Sequence, residues 1–414
     1  MRGRVGIYNL HMRTMGGGEK LTVALAEHLS FGHDVWLFHT EPLDVSSLEH
    51  FFGVDLSRVN LVRLRKPGPL LRVVSVGRSR RAPTFSLHHY LQLRKLKLDL
   101  FINNTYSSGL VCPAARGVFM CMFPHRTAPP PAAEGLARRA KSAFADWVEK
   151  RVTGRAVRDV VESYSTVVAI SRYSAEWVYK LWGRRPEIIY PPCDDMGTAA
   201  AKQKVLLHVG RFTADNGEGE RHQKNQRVLL ETFKGMTDLH RDGWELHFIG
   251  SVGADKESPK FASALAQDAK GFPVTFHFNA GLEEVRDLYQ RAAIYWHATG
   301  YGFPAEDYPA RQEHFGITTV EAMSAGAVPV VNGSGGQKEV VTHEVDGLCW
   351  DDTAGLLSQT RRLVNDADLR ERLSRQAVLS SKRFGREAFA ASVDALVGRL
   401  LFATARNSLR RGGR

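Results

Sequence analysis

The chain has 414 residues, more than one hydrophobic core usually organises, so two domains are expected. Its composition, 43% hydrophobic and 24% charged, is ordinary for a globular protein, and no apolar run reaches the roughly 18–20 residues of a membrane span. The N-terminus lacks the apolar stretch of a signal peptide, and four scattered cysteines show no metal-ligand spacing. We therefore expect a cytoplasmic protein with free thiols, no disulfide and no structural zinc.

The net charge of +12 is unevenly distributed along the chain. Eleven lysines and arginines and no acidic residue lie between Arg58 and Lys97, and further basic groups occupy residues 138–158 and 406–414. Such a surface attracts an anionic membrane, where each basic residue contributes about 1 kcal/mol. Solvated faces of an arginine-rich protein are the alternative interpretation. No nucleic-acid reading motif accompanies the charge, so no nucleic-acid partner is expected.

A strand, a glycine turn and a helix open the first half. Residues 5–9 form the predicted strand, Gly16 and Gly17 begin the turn, and residues 21–29 have helical periodicity. This unit brings backbone N–H groups close to phosphate in doubly wound folds. The G-x-G-x-x-G fingerprint is missing, so we expect no nicotinamide or flavin site. Further strands are predicted at 34–39, 60–64, 98–104, 117–122, 166–171 and 187–190, and helices at 87–98 and 171–183.

Two more features of the first half are functional candidates. His125 follows the predicted strand at 117–122, and open α/β sheets bind ligands at the carboxyl ends of their strands. The predicted helix at 87–98 carries Arg94, Lys95 and Lys97 among four leucines. This pattern fits either a membrane-facing surface or an ordinary surface helix.

The second half restarts the same pattern after a polar, alanine-rich stretch at 195–202. A predicted strand at 204–210 leads into Arg211, a polar loop, Lys224 and a helix from about residue 225. Two halves that both open with strand, glycine loop and helix indicate two Rossmann-like domains. Further strands are predicted at 244–250, 274–279, 292–298 and 328–331, with helices from residue 348 to the end.

Two glutamates flank the start of a predicted short helix. Glu313 lies in a polar loop, the helix begins near Ile317, Glu321 lies within it, and Gly326 ends it. A helix N-terminus offers unpaired N–H groups to a phosphate, and the two carboxylates could each accept hydrogen bonds from a vicinal diol. Alternatively, Thr318 and Glu321 form a capping box that only ties down the helix start.

The string from Glu313 to Gly326, EHFGITTVEAMSAG, is followed by PVV and by GGQKE, and it resembles the signature of family 4 retaining glycosyltransferases. Its HFGI and NGSGG details are most similar to mannosyltransferases that extend the dolichol-linked oligosaccharide, and to their bacterial relatives. The resemblance implies an α/β protein of the GT-B fold, in which two Rossmann-like doubly wound domains face a cleft and a C-terminal helix crosses back to the first domain. On this basis the N-terminal acceptor-side domain is expected at 1–195, the nucleotide-sugar domain at 203–384, and the terminal helix with its basic tail at 385–414.

The resemblance also implies roles for individual residues. Glu321 would hold the ribose hydroxyls, and Glu313 would hold the 3- and 4-hydroxyls of the donor sugar. Arg211 and Lys224 would hold the diphosphate and, without a metal or other cofactor, stabilise it as it departs. The remaining donor-binding residues implied are Gly16 and Gly17 near the diphosphate and acceptor, His125 near the sugar 6-hydroxyl, Leu282 near the base, and the backbone of His314, Phe315, Gly316, Ile317 and Thr318 at the helix start. The insert at 301–311 and the long loop at 213–222 depart from the family pattern.

The expected reaction is the transfer of a hexose, with retention, from a nucleoside diphosphate sugar to a glycan. Mannose from GDP-mannose is the first expectation for the donor, and a polyprenyl-linked or cell-envelope glycan for the acceptor. The basic first domain would associate peripherally with the inner face of an anionic membrane. The alternatives are a cytosolic transferase acting on a soluble acceptor, and a catalytically silent relative that binds a membrane or a partner.

Overall fold

A computed structural model describes most of the chain. By its internal contacts the chain divides into two compact units. Unit 1 comprises residues 1–170, 174–189 and 390–414, and unit 2 comprises residues 171–173 and 190–389. The expected domain boundaries were at 195, 203 and 385. The residues described are 2–12, 15–65, 86–106, 108–125, 147, 150–154, 160–199, 201–214 and 224–402. Much of the predicted basic surface (66–85, 126–146 and 403–414) and most of the loop at 213–222 lie outside this description.

Unit 1 is built on a seven-stranded parallel sheet with the order β3-β2-β1-β4-β5-β6-β7. The order reverses between β1 and β4, which pair in parallel from Val5 opposite Leu100 to Tyr8 opposite Asn103. Such a reversal is the topological switch point of a doubly wound sheet. The strands are Arg4–Tyr8, Asp34–His39, Val59–Arg63, Leu100–Asn103, Gly117–Cys121, Thr166–Ala169 and Glu187–Ile188 (β1–β7), and the helices are Gly17–Ser30, Val45–Phe52, Ser86–Leu93 and Arg172–Trp182 (α1–α4).

The central strands of unit 1 are buried on both faces because their sequences are almost continuously apolar. Every residue of β4 and β5 is buried. Such runs are typical of parallel strands covered by helices on both sides. The helix predicted at 87–98 ends at Leu93, and Arg94 and Lys95 lie in a 3-10 turn that follows it. Leu93 and Leu98 belong to the same core cluster, while Arg94, Lys95 and Lys97 are exposed. The turn after the helix therefore exposes its basic side chains, while Leu93 and Leu98 on either side of it are buried.

The C-terminal helix Arg386–Phe402 packs largely within unit 1, as the GT-B resemblance implied. His28 Nε2 lies 2.7 Å from Asp394 Oδ1, and Arg399 forms an ion pair with Glu187. Unit 1 therefore combines the first part of the chain with its last helix. Among the described residues, no helix is both long enough and apolar enough to cross a membrane.

Unit 2 has a six-stranded parallel sheet with the order β10-β9-β8-β11-β12-β13. The last strand, β13, pairs in parallel with β12, so the expectation of helices alone from residue 348 is wrong at that point. The strands are Gln203–Val209, Glu245–Gly250, Val274–Phe278, Ala292–His297, Val328–Asn332 and Leu348–Trp350 (β8–β13). The helices are Gln226–Lys234, Thr237–Arg241, Ser258–Asp268, Leu282–Arg291, Ile317–Ser324, Gln337–Val340, Thr353–Asn365 and Ala367–Ser381 (α5–α12), followed by the terminal helix (α13).

Candidate functional site

Helix α9 starts without a side-chain cap. Its N-cap is Gly316, whose φ of +111° favours glycine and which supplies no side-chain hydrogen bond to the start of the helix. A Cβ at this position would lie 2.4 Å from Nε2 of the buried Gln337, which donates a hydrogen bond to Thr319 Oγ1 at 3.0 Å. The helix ends as predicted, with Gly326 at φ +80° just beyond its last turn. An uncapped N-terminus of this kind is suited to an anionic ligand.

Glu321 lies inside α9 and is largely buried, with 7% exposure. Tyr289 on α8 donates to Glu321 Oε2 at 3.2 Å, and burial together with the Glu321 charge raises the pKa of the Tyr289 phenol. Because the helix begins at Ile317, Thr318 lies within its first turn and is not the N-cap. The capping box of Thr318 with Glu321 is therefore not formed, and Glu321 is held from a neighbouring helix.

Lys202 fastens the ends of these two helices. Its Nζ donates to the carbonyl of Gln290 at 2.7 Å, near the end of α8, and to the carbonyl of Ala325, at the end of α9. A cation is favourable at the C-terminus of a helix, where carbonyl groups are unpaired. Burial lowers the pKa of Lys202 to about 8, so the group is still mostly protonated at neutral pH.

Glu313 receives two nitrogen donors on one carboxylate oxygen. Lys224 Nζ lies 2.7 Å from Glu313 Oε2, and His297 Nε2 lies 3.0 Å from the same atom. His297 ends strand β11 and is 1% exposed, whereas the Lys224 and Glu313 side chains are 21% and 14% exposed. The structure thus brings together two predicted residues that are 89 positions apart and adds a histidine that was not predicted.

The glycine pair after β12 holds the main chain of Glu313 in place. The Gly336 N–H donates to the Glu313 carbonyl at 2.7 Å. A Cβ at Gly335 would lie 2.4 Å from that same carbonyl oxygen, and a Cβ at Gly336 would lie 2.5 Å from the carbonyl oxygen of His314. The two backbones are therefore closer than any side chain would permit, which explains the last two glycines of the NGSGG string.

A buried polar network anchors the insert that precedes Glu313. Gln312 is fully buried, and its Nε2 donates to the Phe303 carbonyl at 2.8 Å while its Oε1 accepts from Ser334 Oγ at 2.7 Å. Asn332 Nδ2 donates in turn to Ser334 Oγ at 2.9 Å. Asn225, beside Lys224, donates to the Tyr301 carbonyl at 3.0 Å. The insert is thus tied at both ends to the elements that carry Lys224 and Glu313.

Arg211 and Leu282 lie shortly after two strands of the same sheet, β8 and β10. Arg211 is exposed just beyond β8, and its carbonyl accepts a hydrogen bond from Gln226 Nε2 at 3.0 Å. Gly250, at the end of β9, approaches so closely that a Cβ there would lie 2.2 Å from the Gly210 carbonyl oxygen. Leu282 is the first residue of α8, the helix that also carries Tyr289.

The remaining candidates lie in unit 1. Gly16 is the N-cap of α1, and its N–H donates to Glu19 Oε2 at 2.8 Å. Gly17 is the first helical residue, and Gly18 faces Met122, whose Cε would lie 2.5 Å from an added Cβ. His125 is half-buried after β5, with its ring edge-on to Trp182 at 5.7 Å. In the part of the chain that the structure describes, no group of three or more His, Cys, Asp or Glu residues could hold a metal ion.

Sequence reasoning missed the residues that orient the two glutamates, namely His297, Tyr289 and Gln312. The sequence carried a signal for His297, because this residue lies at the end of a predicted parallel strand, where such sheets bind ligands. His125 was selected on the same ground. No local signal marked Tyr289, since its partner Glu321 is 32 positions away.

Two Rossmann-like units with parallel sheets define the chain as a GT-B protein, and solved structures agree. The chain is similar to Anabaena Alr3699/HepE in complex with UDP and glucose, with a TM-score of 0.66 and 16% identity over 96% of this chain and 100% of that one. It is also similar to a glycosyltransferase from Rickettsia africae ESF-5, with a TM-score of 0.67 and 13% identity over 96% and 99% of the two chains.

Sequence comparison identifies the family. The model of Glycosyltransferase Family 4 matches residues 15–195, and that of Glycosyl transferases group 1 matches residues 197–379, so together they cover most of the chain. The chain belongs to the family 4 glycosyltransferases.

Curated relatives match over part of their length. A Xenopus laevis GDP-Man:Man(3)GlcNAc(2)-PP-Dol alpha-1,2-mannosyltransferase is 27% identical over 44% of this chain and 38% of its own length. The mouse Alpha-1,3/1,6-mannosyltransferase ALG2 is 24% identical over 59% of each chain. The chain spans between 24% and 59% of the lengths of these curated relatives.

Proposed function

We propose that the chain is a retaining mannosyltransferase that moves mannose from GDP-mannose to a lipid-linked or cell-envelope glycan. The observation that carries this proposal is the Lys224–Glu313 ion pair, whose loop runs directly into the uncapped start of α9. A cation, a carboxylate and a helix N-terminus that follow one another in space suit a diphosphate attached to a sugar. The GDP-mannose preference rests on the names of the curated relatives.

In the proposed complex the diphosphate lies at the start of α9 and is neutralised by Arg211 and Lys224. Glu313 accepts hydrogen bonds from the sugar 3- and 4-hydroxyls, and Glu321 accepts them from the ribose. Tyr289 donates to Glu321 and so keeps this carboxylate turned toward its ligand. Leu282 lies near the base. The roles of His125, Gly16 and Gly17 in binding the donor stay predictions from the family resemblance.

The chemistry we propose is a front-face displacement. The bond between the anomeric carbon and the diphosphate oxygen breaks, and the acceptor oxygen bonds to the same face of that carbon. The acceptor proton passes to the departing diphosphate. Negative charge develops on the leaving group, so Arg211, Lys224 and the N–H groups from Phe315 to Thr318 stabilise the transition state without a required metal.

A glycan on a lipid carrier would bring the enzyme to the inner face of a membrane. The exposed Arg94, Lys95 and Lys97 support an electrostatic attachment, whereas Leu93 and Leu98 are engaged in the core of unit 1. Binding to anionic vesicles should therefore weaken steeply with salt. Reversing the three charges should weaken it further, and retention on vesicles at high salt would contradict this attachment.

Calorimetry with GDP, UDP, ADP and their sugars tests the donor. We expect GDP-mannose to bind selectively and to be consumed with retention when a polyprenyl-linked glycan is supplied, in the presence of EDTA as in its absence. Tighter binding of UDP-glucose than of GDP-mannose would change the donor assignment to UDP-glucose. Strict dependence on a divalent cation would overturn the metal-free reaction. Binding of no nucleotide sugar would overturn the enzyme proposal itself.

A further inference from the structure

His297 is a buried histidine that the reaction scheme above does not use. It ends β11 with 1% exposure, and its Nε2 lies 3.0 Å from Glu313 Oε2. Its Nδ1 is buried and has no hydrogen-bond partner among the described residues. A ring placed in this way has a single polar contact, and that contact is with the carboxylate assigned to the donor sugar.

The protonation state of His297 follows from its surroundings. Burial lowers the pKa of the imidazole, and the nearby Lys224 ammonium lowers it further, while the Glu313 carboxylate opposes both effects. An ionised carboxylate only accepts hydrogen bonds, so Nε2 must carry the proton. His297 is thus a neutral donor held by a strand, and it adds no charge to the Lys224–Glu313 pair.

Lys224 and His297 differ in what happens when a diphosphate arrives. Both donate to the same oxygen of Glu313. The lysine has a flexible stem and a more exposed side chain, and a diphosphate carries more negative charge than one carboxylate, so the ammonium is drawn toward the ligand. The histidine is enclosed in the sheet and does not follow. Glu313 would then keep one fixed donor while it exchanges its salt bridge for sugar hydroxyls.

We infer that His297 is a positioning residue that keeps Glu313 oriented toward the donor sugar after Lys224 has moved to the diphosphate. The inference rests on the proposed function, because it assigns His297 to the sugar-binding step of that same site. The inference requires the hydrogen bond from Nε2–H itself. A side chain that only fills the same space would not be enough.

Two substitutions of His297 distinguish the loss of its hydrogen bond to Glu313 from the loss of side-chain volume. His297→Gln places an amide donor near the position of Nε2, whereas the shorter His297→Asn places it near Nδ1. His247→Asn is the matched control, because His247 is also a buried strand histidine of unit 2 whose Nε2 contacts a carboxylate, Glu245, at 3.1 Å. The quantities measured are kcat, the donor KM, and the Kd for free nucleoside diphosphate.

We expect His297→Asn to lower kcat by ~10–100-fold, since a displaced sugar contact misaligns the reacting atoms. Free nucleoside diphosphate lacks the sugar that Glu313 would hold, so it should bind this variant about as well as it binds the wild type. His297→Gln should recover most of kcat, and His247→Asn should lower only the melting temperature. Wild-type turnover in His297→Asn would overturn the inference, and so would equal losses of turnover in the Gln and Asn variants. An inactive wild type that binds no nucleotide sugar would instead overturn the proposed function.

A measurement that does not use the Asn variant keeps the inference testable if that variant does not fold. Nitrogen-15 labelling of histidine in the full chain reports the tautomer of each ring, with His297 assigned through the Gln variant. We expect a neutral ring protonated at Nε2 whose Nε2–H signal shifts in Glu313→Gln. A ring protonated at Nδ1, or an Nε2–H signal that is indifferent to Glu313→Gln, would overturn the inference.

Discussion

A second buried histidine makes the stability of unit 2 depend on pH. His208 on β8 is completely buried, and its Nδ1 lies 2.9 Å from the carbonyl oxygen of Trp296. Its Nε2 has no hydrogen-bond partner among the described residues. Burial lowers the pKa of His208 to about 3, and the neighbouring His297 and Lys224 act in the same direction. The folded protein therefore keeps this ring neutral under conditions that protonate it in the unfolded chain.

The sign and size of the effect follow from linkage. The folded pKa lies below the ordinary value of 6.5, so the unfolded chain binds more protons between the two values and stability falls as the pH drops through this window. Between about pH 7.5 and pH 5, His208 alone removes about 2 kcal/mol from the free energy of unfolding.

The perturbation that isolates this contribution is His208→Asn, because the amide can still donate to the Trp296 carbonyl and does not titrate. We expect the variant to be less stable at pH 7.5, since a smaller side chain leaves a cavity. Its deficit relative to the wild type should shrink by about 2 kcal/mol at pH 5. Urea unfolding followed by tryptophan fluorescence measures both values, and hydrogen exchange of β8 assigns the transition to unit 2. A deficit that is constant with pH, or one that grows toward acid, would show that folding does not hold His208 in its neutral form.

Three further predictions concern the ligand site. Glu321→Gln should weaken nucleoside diphosphate binding by ~10–100-fold, the value of a charged hydrogen bond, and an unchanged Kd in calorimetry would remove the ribose assignment. Gly335→Ala should lower turnover by more than ~10-fold, because the added Cβ pushes against the carbonyl of Glu313. Gly271→Ala, which also has a positive φ (+86°) but no atom within 4 Å of an added Cβ, should affect only stability, and equal activities of the two variants would contradict the close-packing argument. Arg211→Ala combined with Lys224→Ala should lower kcat by ~100-fold or more, and a loss below ~10-fold in steady-state kinetics would exclude their role at the leaving group.

Hydrophobic periodicity predicted most strands because parallel strands are continuous apolar runs bounded by turns. The strand predicted at 34–39 is β2, Asp34–His39, and the one predicted at 204–210 is β8, Gln203–Val209. Strand β13 was not predicted, because its three residues, Leu348–Trp350, are too few to show a hydrophobic period. Helix α2 was also missed, although its ends carry the usual signals: Asp44 caps its start by accepting from the Ser47 N–H, and Gly53 ends it at φ +59°.

The sequence predicted Lys224 and the two glutamates of the candidate site, but it predicted neither their arrangement nor the residues that orient them. The family signature located Glu313 and Glu321, and the strand–loop–helix pattern located Lys224. Nothing in either pattern indicated that Lys224 and Glu313 pair in the structure, because a contact between distant positions depends on how the sheet brings its strand ends together. The capping interpretation of Glu321 failed for a related reason, since the helix starts two residues earlier than a Thr318 cap would need.

The buried Gln312 has a consequence for how this site can diversify. It closes the insert onto Phe303 and Ser334 directly before Glu313, and a Cβ at Gly300 would lie 2.2 Å from its Oε1. Gly335 and Gly336 fix the glutamate from the other side. The hydrogen bonds that hold the segment between residues 300 and 312 end on the main-chain carbonyls of Tyr301 and Phe303, so the side chains at these two positions can be exchanged without removing those bonds. Exchange of these side chains is therefore a way to vary the surroundings of Glu313 while its main-chain supports are kept.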